Sequence, residues 1–200
     1  MAVTRGFFGS RARDPRLPPG QYDAGGDWPV LHAESTPSIT TERWSITVDG
    51  LVDTPTTWTW DELRALPRST YDGDIHCVTT WSKFDMTFEG VSVDTLLEAA
   101  GPQEDAAYVL ARSSTGYTTN LELEDVTDGK AWVVWDADGE PLEDIHGGPA
   151  RLLVPHLYFW KSAKWVSGLK LLAEDEQGFW ERNGYHDRGD PWLEQRYQGD

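Results

Sequence analysis

The sequence predicts an α+β domain that is strand-rich, with mixed sheets or a barrel, short helices and long loops. Three observations lead there. The 200 residues are 38% hydrophobic and 26% charged, a globular balance for one ordinary domain. Short apolar runs alternate with polar residues and end in turn signals. The helix-start signals that exist open short segments only.

In chain order, Trp44, Ile46 and Val48 alternate with polar residues until Asp49-Gly50, giving a strand and a turn. Thr59-Trp60-Asp61-Glu62 reads as a capping box, and Leu63 to Leu66 continue a short helix up to Pro67. Ser92 caps a second helix, Val93 to Ala100, with Leu96, Leu97 and Ala100 on one face and Gly101-Pro102 as the stop. Strands are expected over Ala106 to Arg112, Ala131 to Trp135, Ala150 to Val154 and Trp165 to Leu172, with a turn at Asp136-Ala137-Asp138-Gly139. The Gly-, Trp-, Asp- and Arg-rich tail holds at most one short helix, near Gly178 to Arg182. Residues 1–20 read as a basic arm and 21–200 as a single domain.

Charge and composition narrow the function. Thirty-four acids against seventeen Lys and Arg give a net charge of −17, which argues against nucleic acid as a partner. No apolar stretch is long enough for a membrane span. The arginines of the arm precede no apolar core of the kind an export signal needs, so a cytoplasmic location is expected. One cysteine excludes an internal disulfide and a multi-cysteine metal site. Eleven tryptophans imply a core or cleft built from large flat rings.

The chemistry concentrates in three places. From Ile145 to Ala173 there is no Asp or Glu, while Arg151, Lys161, Lys164, Lys170, His146 and His156 fall in that window. An edge strand protected by lysines would account for it. So would a site for a small anion such as phosphate, with Lys161-Ser162-Ala163-Lys164 offering two ammonium groups and a hydroxyl. His146-Gly147-Gly148-Pro149 opens the window, either as a plain turn or as a close backbone approach to a ligand. Cys77 is the third. A lone cysteine is often a small buried hydrophobe, but polar and aromatic neighbours and the following Lys83 would favour a thiolate. Three functions fit: a Cys77 thiol nucleophile with His146 or His76 as base, a Cys77-ligated metal with an anionic organic cofactor, or an anion-binding module.

The segments Asp74-Ile75-His76-Cys77-Val78-Thr79-Thr80-Trp81, His146 to Pro155 and Lys161-Ser162-Ala163-Lys164-Trp165 together resemble the molybdopterin-binding domain of the sulfite oxidase family, most closely its short bacterial branch. The resemblance implies that family's fold over roughly residues 20 to 200, and two-electron oxygen-atom transfer on a small sulfur or nitrogen oxide. It implies a molybdenum pyranopterin dithiolene without a nucleotide, since no second phosphate-binding signature is present. Cys77 matches the metal ligand. His146, Arg151, Lys161, Ser162 and Lys164 match the pterin and phosphate contacts, and Ser113 matches a hydroxyl residue near the cofactor. Trp180 and Tyr185 resemble a Trp and Tyr at the same spacing in sulfite oxidases, where the Tyr sits beside the metal, which implies a catalytic place for Tyr185. The family's substrate-side arginine has no clear match ahead of Trp44; His32 lies near that place and joins the cofactor-side set. A neutral sulfoxide or N-oxide then competes with sulfite as substrate. No haem segment precedes the domain, so a separate electron-transfer partner is expected.

Overall fold

The structure is a computed structural model that describes residues 14–31 and 33–200. In chain order the elements are β1 (Tyr22–Asp23), β2 (Ser45–Gly50), β3 (Thr56–Thr59), α1 (Trp60–Ala65), β4 (Ser69–His76), β5 (Trp81–Ser92), α2 (Val93–Ala100), β6 (Tyr108–Ser113), β7 (Thr118–Glu122), β8 (Trp132–Ala137), β9 (Glu140–Pro141), β10 (Arg151–Leu153), β11 (Val166–Leu172) and α3 (Phe179–Arg182). They form two mixed sheets. One runs β1-β5-β8-β10, with β4 also on β5 and β9 on β8; the other runs β3-β2-β11-β6-β7. The sheets stay open, so the barrel option is not realised among the described residues.

Local chemistry explains the helices. Thr59 Oγ1 accepts from the Glu62 backbone N–H while the Glu62 carboxylate accepts from Thr59 N–H, so the capping box forms. Ser92 accepts from Asp94 N–H, and Gly101 ends α2 at φ 69° in the left-handed region. Strand positions follow side-chain alternation. On β8, Val133 and Trp135 pack into the core between the sheets, while Trp132 and Val134 join a second cluster with Ile75, Cys77, Met86 and Phe88. Burial on both faces is why that run is almost continuously apolar.

Some expectations shift. β8 continues through Ala137, which leaves Asp138-Gly139 as the turn. Trp165 sits at φ 51°, outside the strand expected to include it. The β4–β5 hairpin has no counterpart in the expected strands. The basic arm lies outside the described residues over 1–13; Arg16 donates to Asp85 at 2.7 Å and its guanidinium lies 4.0 Å from the Phe84 ring centre. No helix among the described residues is long and apolar enough to cross a membrane.

Candidate active site

Cys77 caps the end of β4. Its N–H donates to Trp81 O at 2.8 Å, its carbonyl accepts from Thr80 N–H at 3.0 Å and from Gln21 Nε2 at 3.0 Å, and Thr80 takes φ 79° to close the turn. The backbone is therefore clamped while Sγ points into a cavity, 3.2 Å from Thr79 Oγ1. Burial pushes the thiol pKa up, opposed by the Thr79 hydrogen bonds and by the charges of Lys164 and Arg196. The expectation that Lys83 favours a thiolate is corrected: its ammonium reaches Gly26 O at 3.5 Å.

The thiol shares the cavity with two cations. Arg151 is 1% exposed; its Nη1 donates to His146 O at 2.8 Å, its Nη2 to Ser162 O at 2.7 Å, and its guanidinium lies 3.9 Å from the Phe159 ring centre. Burial lowers its pKa to about 9. Lys164 Nζ donates to Leu31 O at 3.0 Å and Ile145 O at 2.8 Å, and burial followed by the Arg151 charge lowers it to about 8. Gly147 lets them converge. It takes φ 108°, and an added Cβ would lie 3.0 Å from the Lys164 backbone and 3.1 Å from Arg151 Cβ.

Ion pairing separates these two from their neighbours. Lys161 pairs with Glu181 at 2.7 Å and Lys170 with Glu176 at 3.7 Å. Among the described residues neither Arg151 nor Lys164 has a carboxylate within ion-pair distance. Buried Arg151 and half-buried Lys164, neither with a carboxylate within ion-pair distance among the described residues, give this cavity a positive lining inside a protein of net charge −17.

Aromatic rings form the rest of the wall. Trp28 stacks on His146 at 3.8 Å and 11°. Tyr185 meets Trp180 at 4.9 Å and Trp160 edge-on at 5.2 Å. Tyr117 donates to Trp160 O at 2.7 Å. The Trp81 Nε1 donor, also in the lining, is buried without a hydrogen-bond partner among the described residues. The cavity measures about 240 Å³.

The sequence profile of the oxidoreductase molybdopterin-binding domain matches residues 32–180. The chain belongs to that family. As a molybdopterin-dependent oxidoreductase domain it has relatives of differing length. It is 44% identical over 186 residues to the uncharacterized oxidoreductase YuiH of Bacillus subtilis (strain 168), covering 92% of this chain and 93% of that one. It is 30% identical to the putative protein-methionine-sulfoxide reductase subunit YedZ1 of Azospira oryzae, over 70% of this chain and 53% of that one. The sulfite oxidase of Arabidopsis thaliana is 24% identical over 72% of this chain, which spans 46% of it. The crystal structure of the sulfane dehydrogenase SoxCD from Paracoccus pantotrophus superposes with a TM-score of 0.69 at 22% identity, over 78% of this chain and 44% of that one. The fold is that of the sulfite oxidase-like molybdopterin-binding domain.

Within this molybdopterin-binding domain, the structure brings Cys77, His146, Arg151, Ser162, Lys164 and Tyr185 around one cavity. Two sequence-derived site residues stand apart from it. Lys161 is a correction: its ammonium, fully buried, donates to Glu181 Oε1 at 2.7 Å and to Asn120 O and Oδ1 at 2.8 and 2.9 Å, so it does not converge with Lys164 on one anion. Ser113 is buried behind the wall and bonds Thr115 Oγ1 at 2.8 Å. The position of His32 lies outside the described residues. His76, one of the two bases considered for a thiol nucleophile, turns the other way. It bonds Ser82 at 2.8 Å and lines a second cavity with Asp125, His156 and Arg188. Trp28, Glu34, Trp81 and Tyr117 line the first cavity without having been singled out in the sequence. Eleven tryptophans did announce a cleft of flat rings, and five of them (Trp28, Trp81, Trp160, Trp165 and Trp180) line this one.

Proposed function

We propose that this domain carries out two-electron oxygen-atom transfer on a small sulfoxide or N-oxide, with Cys77 as the protein ligand to a molybdenum pyranopterin that lacks a nucleotide. One observation carries the reading: a lone thiol faces the same cavity as Arg151 and Lys164, two cations with no carboxylate partner among the described residues. These residues fit the cofactor. A thiolate is a soft ligand suited to a second-row metal held by sulfur, the cations suit a phosphate tail, and the unpartnered Trp81 Nε1 is a donor awaiting an acceptor. When bound, the cofactor supplies oxygen-atom transfer by cycling between Mo(VI) and Mo(IV).

The chain's own residues do the rest. The clamped turn at Cys77–Thr80 fixes the direction of the thiol. Binding at the metal requires loss of the thiol proton, which burial opposes and the positive charges of Lys164 and Arg196 assist. Arg151 is held by three carbonyls, those of Leu152, His146 and Ser162, so the guanidinium is fixed and its two remaining N–H groups are left for the anion without reorganisation. The indole walls exclude water. Tyr185 is a phenol at the cavity edge, neutral at physiological pH, that can donate a hydrogen bond to a substrate oxygen. Reduction of a sulfoxide consumes two electrons and two protons and releases the sulfide and water. In this reading a separate electron-transfer partner delivers the electrons. Two relatives bear names that describe subunits of a methionine-sulfoxide reductase, which supports both that arrangement and the substrate class.

The test is metal and pterin analysis of protein purified from a molybdate-supplied host, followed by turnover of sulfoxides, N-oxides and sulfite with an artificial electron mediator. Molybdenum and pterin near one each, with sulfoxide or N-oxide reduction, are expected. Protein that takes up neither would overturn the reading.

A further inference from the structure

A single carboxylate stands in the lining of the cationic cavity. Among the described lining residues Glu34 is the one acid. It is half-buried, and no Lys or Arg lies within ion-pair distance of it among the described residues. Glu34 acts on its surroundings all the same: it is among the charges that raise the pKa of Lys164 and of Tyr117.

The carboxylate is held from behind. Thr115 Oγ1 donates to Glu34 Oε1. Having given its one proton there, the Thr115 hydroxyl accepts from Ser113 Oγ at 2.8 Å, while Thr115 N–H donates back to Ser113 Oγ at 3.3 Å. Ser113, remote from the cavity itself, thus supports the acid that faces it. The segment carrying Glu34 is fixed at two further points, by the Trp28 ring on His146 at 3.8 Å and by Leu31 O on Lys164 Nζ at 3.0 Å. A carboxylate fixed this way cannot swing clear of a bound anion.

We infer that Glu34 is a specificity-determining residue of this pocket: its carboxylate turns away oxyanions such as sulfite and leaves the site to neutral sulfoxides and N-oxides. The chemistry rests on the oxygen-transfer reading above, but the charge argument does not. The cations and the carboxylate have different tasks. Arg151 and Lys164 neutralise the anionic tail of the cofactor, after which Glu34 is the uncompensated charge that an incoming substrate meets. A dianion feels twice the repulsion of a monoanion, and a neutral oxide feels none to first order. The effect is strengthened because the cavity is walled mainly by aromatic rings.

The experiment compares Glu34→Gln with Glu98→Gln in the full-length protein as purified. In Glu34→Gln the new amide oxygen still accepts from Thr115, so the wall keeps its anchor and only the charge is lost. Glu98 is exposed on α2, away from the cavity lining, and its replacement changes net charge equally. Sulfate, an unreactive dianion, and dimethyl sulfoxide are titrated separately against the fluorescence of the cavity tryptophans. Glu34→Gln is expected to tighten sulfate binding about tenfold, roughly 1.4 kcal/mol, and to leave dimethyl sulfoxide binding within about twofold. Glu98→Gln is expected to change neither. Unchanged sulfate affinity in Glu34→Gln, or an equal gain in Glu98→Gln, overturns the inference. The titration needs no turnover, so in cofactor-loaded protein it decides the role of Glu34 whether or not sulfoxides and N-oxides prove to be the substrates.

Discussion

Lys161 and Glu181 form an ion pair of 2.7 Å in which both side chains are fully buried. Glu181 Oε1 also accepts from Trp160 Nε1 and Thr119 Oγ1, each at 2.9 Å. The pair therefore ties α3 to β7 and to the turn at Phe159–Lys161. Trp160, Trp180 and Tyr185 reach the cavity from those segments. The ammonium that sequence analysis assigned to a phosphate instead builds the wall against which Tyr185 packs.

Removing one partner leaves the other charge buried and uncompensated, which costs about 3–5 kcal/mol. Glu181→Gln and Lys161→Met should each lower the unfolding free energy by that order in urea melts. The double variant Lys161→Met/Glu181→Gln should recover part of the loss, because no lone charge remains. A loss under about 1 kcal/mol in both single variants would show that the pair is dispensable.

Arg151 behaves in the opposite way, because it is a buried charge with no carboxylate to abandon. Replacing it by an apolar side chain of similar length relieves the cost of burying an unpaired charge, which offsets the lost hydrogen bonds to His146 O and Ser162 O. Arg151→Met should therefore leave cofactor-free stability within about 2 kcal/mol of the parent while reducing bound pterin at least tenfold. Arg151→Lys should not restore the pterin, since an ammonium cannot reproduce the fork that reaches both His146 O and Ser162 O. Pterin content equal to wild type in Arg151→Met would remove the guanidinium from cofactor binding.

Cys77→Ser separates ligation from retention. The hydroxyl is nearly isosteric and the backbone clamp at Trp81 and Gln21 involves no sulfur. The variant should keep most of its pterin, held by Arg151 and Lys164, and lose turnover entirely. Undiminished activity would remove Cys77 from the chemistry.

Much of this was legible in the sequence, for identifiable reasons. α2 was readable because Ser92, the apolar face and Gly101 agree. The acid-free window marked Arg151 and Lys164, which line the cavity, because its cations outnumber the carboxylates that could pair with them locally. What the sequence could not separate was Lys161 from Lys164. The partner of Lys161, Glu181, comes from 20 residues away, and the turn at Phe159–Lys161 sends the two side chains in different directions. Glu34 was invisible for the same reason: its meaning depends on a cavity assembled from Cys77, Tyr117 and Lys164. The β4–β5 hairpin was missed because β4 carries Asp72, Gly73 and Asp74, although Met86 and Phe88 alternate with Asp85, Thr87 and Glu89 on its partner.

The second cavity gives a pH prediction. Burial raises the Asp125 carboxyl, but hydrogen bonds from His156 at 3.0 Å and from Arg188 at 3.1 Å, with the Arg188 charge, overcome it and hold the pKa at about 2. The folded pKa lies below the unfolded value of 3.8, so the unfolded chain takes up the proton first as pH falls. The stabilisation is complete above about pH 4 and is lost between there and pH 2; the shift corresponds to about 2 kcal/mol. Asp125→Asn abolishes this titration. Its deficit relative to wild type, read as the urea midpoint at successive pH values, should be largest at neutral pH and should narrow as pH falls from about 4 toward 2. A gap that stays constant across that range would mean that the carboxylate does not gain its stability from His156 and Arg188.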